Sequence, residues 1–144
     1  MNFVIYNEDG PEPGRITQSN KVFSPEGYDK LLLDQGLKFI TLDQPGYVNP
    51  DNFYVNVKDK VVIPRPIMPI QISRTTIRAG GQDAAVFQGV PLNALATVTT
   101  AGMQIGGASI PSGEFDLPIP VPCVYTISIT KWPYKTFTVN IEAR

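Results

Sequence analysis

The chain has 144 residues, 12 basic and 13 acidic side chains, a formal net charge of −1, one cysteine and no histidine. That balance offers no basic footprint for DNA or RNA, and without histidine no Ser-His-Asp or Cys-His catalytic set can be assembled from it. One cysteine also falls short of a zinc site and of an internal disulfide, so composition points to a non-enzymatic binding or structural protein without a cofactor.

No apolar stretch is long enough to span a bilayer. The opening Met1-Asn2-Phe3-Val4-Ile5 lacks the basic-then-apolar order of a secretory signal. We expect synthesis in a reducing cytoplasm and no membrane insertion. The two halves differ in character. Residues 1–66 hold 16 of the 25 charged side chains, whereas residues 84–113 hold none. Between them, Ile63-Pro64-Arg65-Pro66-Ile67-Met68-Pro69 reads as a stiff extended connector, because each proline fixes φ and removes a donor. This places a small α+β unit at residues 1–66 and a second domain at residues 67–144.

In chain order, Phe3-Val4-Ile5-Tyr6 predicts a short strand, closed by the turn-forming Asn7-Glu8-Asp9-Gly10-Pro11. Arg15-Ile16-Thr17-Gln18 is its antiparallel partner. Ser24-Pro25-Glu26 predicts a helix start, with Ser24 as N-cap and Pro25 at the first helical position. Tyr28, Leu31 and Leu32 form its apolar stripe, and Gly36 ends it in a left-handed conformation. Lys38-Phe39-Ile40-Thr41-Leu42 is a further strand. Phe53-Tyr54-Val55-Asn56-Val57 and Val61-Val62-Ile63 flank Lys58-Asp59-Lys60, a three-residue hairpin loop.

The second domain reads as entirely β. Ile70 and Ile72 alternate with polar neighbours, Gly80-Gly81-Gln82-Asp83 marks a turn, and Ala84-Ala85-Val86-Phe87-Gln88 follows. Residues 94–99 and 103–105 predict two more strands, with Gly102, Gly106 and Gly107 in tight turns. Glu114-Phe115-Asp116-Leu117 is another. The clearest alternation places Tyr125, Ile127 and Ile129 against Thr126, Ser128 and Thr130, then Phe137, Val139 and Ile141 against Thr136, Thr138 and Asn140. Period-2 patterning with one polar face marks antiparallel sheets covering a core on one side. About seven short strands at this spacing predict an Ig-like antiparallel β-sandwich, so the chain as a whole is mainly β.

Candidate chemistry is sparse. Glu114 and Asp116 share a strand face and could begin a calcium site, but no loop motif supplies the other oxygens, and charge also protects a solvated edge. Cys123 has no histidine to activate it and reads as a buried or half-buried small residue. Trp132 and Tyr134 flank Pro133 between the two clearest strands, where they could stack on a host-surface glycan, anchor a partner, or cap the sandwich. The uncharged run 84–113 is the most informative feature. Covering a neutral Thr, Ser, Asn or Gln surface requires no ion to leave water. It is therefore expected to form contacts in an assembly, with Thr97 and Gln104 as contact residues and Ala85, Ala94 and Ala96 permitting close approach.

These residues resemble a family. Phe3-Val4-Ile5-Tyr6-Asn7 with Gly14-Arg15-Ile16, and Phe53-Tyr54-Val55 leading through Val61-Val62 to Pro64-Arg65-Pro66, are similar to small tail-associated virion proteins of tailed bacteriophages. The second half resembles the Ig-like module that often follows there. The matching stretches run from Ile77 to Ala84, Gln88 to Pro91, Gly113 to Phe115 and Val124 to Ile127, and include Trp132-Pro133-Tyr134. Two turns depart from that pattern: Gly80-Gly81 stands where Asp-Gly is usual, and Pro122-Cys123 where Pro-Gly is usual. The resemblance implies a virion structural protein in many symmetric copies, an adaptor or fibre-attachment piece at tail or neck contacting tail, neck or fibre chains. Two alternatives stay open: a capsid decoration protein, and a carbohydrate-binding module that meets the host surface.

Overall fold

The run Phe3-Val4-Ile5-Tyr6 is apolar at every position because the strand it forms is covered on both faces. A computed structural model describes residues 1–23, 25–43 and 46–144, which divide into two compact units, Met1–Arg65 and Pro66–Arg144. In the first, β1 (Asn2–Tyr6) is the middle of a three-stranded antiparallel sheet between β2 (Ile16–Lys21) and β3 (Lys38–Leu42). Phe3 and Ile5 face α1 (Tyr28–Asp34), where they pack with Leu32, and the Phe3 ring meets Tyr28 edge-on at 4.7 Å. Val4 and Tyr6 face the other way, onto Ile16 and onto Val55 of the hairpin β4 (Phe53–Asn56) and β5 (Val61–Pro64). Asn2 is buried too, but its amide donates to the Gly46 carbonyl and its oxygen accepts from Ser19 Oγ at 3.2 Å, so no polar atom is stranded.

Three local expectations change in this unit. The N-cap expected at Ser24 lies outside the described residues. The helix begins at Tyr28 rather than at Pro25, because Gly27 takes a left-handed conformation (φ +82°) that interrupts the run. Leu31 is not on the apolar stripe: it is 50% exposed, and Leu32 alone is buried. The C-terminus does follow the expected form. Gly36 has φ +71°, its N–H donates to Leu33, and the Leu37 N–H reaches Leu32 at 3.0 Å, a Schellman ending. The hairpin loop has four residues, not three, because Asn56 pairs with Val61 and its Oδ1 accepts from Lys58 and Asp59, drawing Val57 into the turn.

The second unit is a sandwich of two sheets over one core. Its strands are β6 (Gln71–Ile72), β7 (Thr76–Ile77), β8 (Ala84–Gln88), β9 (Ala94–Thr100), β10 (Met103–Ile110), β11 (Glu114–Pro118), β12 (Cys123–Thr130) and β13 (Phe137–Ala143). The smaller sheet runs β11-β8-β6 and the larger β10-β9-β12-β13-β7. The first segment splits between them, β6 pairing antiparallel with β8 and β7 parallel with β13. Strand order and this split are those of an Ig-like sandwich. Inward positions of both sheets meet in the core, including Ala85 and Phe87 from β8 and Ile127, Ile129 and Ile141 from β12 and β13, all fully buried. Phe87 stacks on its cross-strand partner Phe115 at 4.5 Å and 7°. No helix occurs among the described residues after Arg65.

The short strand expected at residues 103–105 is instead an eight-residue strand. Gly106 and Gly107 lie inside it rather than in turns, and the pairing with β9 slips between Gln104 and Gly106, leaving Ile105 as the extra residue of a bulge.

Candidate functional site

The uncharged run of residues 84–113 does not form one surface. β8 takes its first five residues into the smaller sheet, where Ala85 and Phe87 are buried. Ala94 and Ala96 likewise point into the core, so the alanines expected to let a neighbour approach do no such thing; their small size serves the packing between sheets. What remains outside is β9 with β10, and β12 completes their face although it lies beyond the run.

Burial alternates along β12, with Tyr125, Ile127 and Ile129 inward, so Thr126, Ser128 and Thr130 face out. Register then sets two rows across the sheet. Gly107, Thr97, Ser128 and Thr138 stand side by side, and next to them Gln104, Thr99, Thr126 and Asn140. No Asp, Glu, Lys or Arg occurs in β9, β10 or β12. Several threonine hydroxyls are already engaged within the sheet. Thr126 Oγ1 donates to Asn140 Oδ1 at 2.9 Å, Thr100 Oγ1 to the Val124 carbonyl at 3.1 Å, and Thr97 Oγ1 makes a longer contact to the Ser128 carbonyl at 3.4 Å. Water can leave such a face without stranding a charge.

This face ends at β10, whose residues are exposed from Met103 to Ser109. Met103 and Ile105 are 69% and 54% exposed. Beside Ile105 an apolar groove of about 300 Å³ is lined by Val98, Leu117, Pro120, Val121 and Tyr125. Of the expected contact residues, Thr97 and Gln104 belong to this face. Trp132 and Tyr134 do not: they sit in the β12–β13 connection beyond Thr130, outside the strands that make the face. Both are half-buried, and Tyr134 packs against the core. Met103 and Ile105 were missed from the sequence, although adjacent glycines inside an apolar stretch can signal a bulge.

Cys123 is exposed, contrary to expectation, because β12 begins at the rim, where its sulfur lies 3.0 Å from Thr100 Oγ1. Glu114 and Asp116 are exposed on β11, an outer strand of the smaller sheet. Among the described residues, no three acidic or cysteine side chains are grouped to hold a metal. Elsewhere, Asp83 closes the turn before β8. The Arg78 N–H donates to it at 2.9 Å and holds its carboxyl below the usual aspartate range, against the opposing push of partial desolvation and with further help from Arg74 at 2.9 Å and the Ala84 N–H at 3.0 Å. No protein-family model and no curated protein matches the chain.

Proposed function

We propose that this chain is a non-enzymatic structural protein of a tailed-phage virion, present in many symmetric copies and acting at tail or neck as an adaptor or fibre-attachment piece. The observation that carries it is the charge-free face across β10, β9 and β12, which is cheap to dehydrate and continues to an exposed strand edge. The sequence resemblance supplies the particle, and the absence of histidine supports the non-enzymatic part. The contacts would be made to other tail, neck or fibre chains.

Quantitative mass spectrometry of purified particles tests this reading. On the order of tens of copies per particle or fewer is expected of a tail or neck component, whereas hundreds would move the chain to the capsid surface as a decoration protein. Absence from particles would overturn the virion reading altogether. The glycan alternative is weaker, since the half-burial of Trp132 and Tyr134 leaves less ring face for a sugar.

A further inference from the structure

The sandwich has four outer strands, and three of them carry features that discourage pairing with another chain. β6 and β7 have two residues each, with Pro69 just before one and Arg74 and Arg78 flanking the other. β11 carries Glu114 and Asp116 and ends at Pro118. β10 is different. It is eight residues long, holds no charge and no proline, and is exposed over all but its last residue. Its bulge at Ile105 disturbs only the first part, and residues 106–110 pair with β9 without interruption.

We infer that β10 pairs antiparallel with β10 of a second copy of this chain across a two-fold axis, joining two five-stranded sheets into one. A two-fold axis sets a strand against itself, so any charge near the axis meets its own copy; a strand without charge escapes that repulsion. Centring on Ala108 uses the regular stretch. It places Ala108 opposite Ala108 of the second copy, Gly107 opposite Ser109 and Gly106 opposite Ile110, so each larger side chain meets a small one. Outward Thr, Ser and Gln side chains then continue across both copies with no ion to desolvate.

The inference names a partner for the face assigned above and rests on that reading only in placing the contact there; particle composition tests the one and solution assembly the other. Sedimentation equilibrium of the purified full chain is expected to show a monomer–dimer equilibrium. Ser109→Lys, at an exposed position, brings like charges together and is expected to weaken it about tenfold or more while the circular dichroism spectrum stays native. In a Cys123→Ser background, Ala108→Cys is expected to form a disulfide dimer under mild oxidation faster than Ser112→Cys does, because opposed residues of an antiparallel pair bring their Cβ atoms within disulfide reach. A wild-type chain that stays monomeric at about 100 μM, far above a micromolar dissociation constant, would overturn the pairing. So would a dimer indifferent to Ser109→Lys in which Ala108→Cys cross-links no faster than Ser112→Cys.

Discussion

The Tyr125 hydroxyl donates to the Val121 carbonyl four residues upstream, at 3.0 Å. This bond sits where the chain enters β12, and it ties the β11–β12 corner to the first inward-facing side chain of that strand. A tyrosine reaching back to upstream backbone at this corner is a recurring feature of Ig-like sandwiches. Tyr125→Phe keeps the ring in the core and removes only the bond. Urea denaturation should show a loss of about 1 kcal/mol, with the native circular dichroism spectrum retained.

Neighbouring residues on β12 should respond to very different degrees. Ile127 is fully buried between the sheets, whereas Thr126 faces out beside Thr99 and Asn140. Ile127→Ala should cost about 2–5 kcal/mol through lost burial and the cavity left behind. Thr126→Ala should cost about 1 kcal/mol or less. Equal effects in parallel denaturation curves would mean that the strand's faces have been assigned wrongly.

Gly14 and Gly102 both have positive φ, +86° and +75°, but only one is boxed in. A Cβ on Gly14 would land on the Val55 carbonyl oxygen, whereas one on Gly102 would meet nothing within 4 Å. Gly102→Ala should therefore cost only the backbone penalty, about 1–2 kcal/mol. Gly14→Ala should cost more, since β4 must also move away from the 7–15 turn that it now bonds through Val55 N–H and the Gly14 carbonyl at 2.8 Å. Thermal melts of the two variants give the comparison.

Asp83 gives the second unit an acid limb. Its carboxyl is depressed in the folded protein, first by the Arg78 N–H bond, so folding favours the ionised form. That contribution is complete above the ordinary aspartate value of about 3.9 and is lost as pH falls through the lower folded value. Asp83→Asn should thus lower stability at neutral pH and flatten its decline below about pH 4. A variant whose stability falls as steeply as wild type over that range would contradict this role.

Much of the architecture was legible because local and global preferences agreed. The alternation of Tyr125, Ile127 and Ile129 with polar residues follows directly from a sheet covered on one side, and Gly36 closes its helix as a left-handed terminator must. The helix start was not legible, because Pro25 satisfies the local rule while the left-handed Gly27 overrides it two residues later. The contact surface was only partly legible. Lack of charge could be read along residues 84–113, but which of those residues face outward depends on sheet assignment. That assignment puts β8 in the other sheet, turns Ala85, Ala94 and Ala96 into the core and brings in β12 from outside the run. The glycines at 106 and 107 hint at a bulge, but its place at Ile105, and with it the length of β10, is set by the pairing with β9.

The most direct measurement is the incorporation of Gln104→Lys into particles. Gln104 is exposed at the end of the charge-free face, so lysine there is compatible with the fold yet places an ion where a neighbouring chain would cover it. Native circular dichroism of the purified variant is the control for folding. The expected result is a folded protein that fails to enter particles, or enters them at a small fraction of the wild-type level, while charge reversals in residues 1–66 enter normally. Wild-type incorporation of Gln104→Lys, with exclusion of the charge reversals, would contradict the account and move the contact to the first unit.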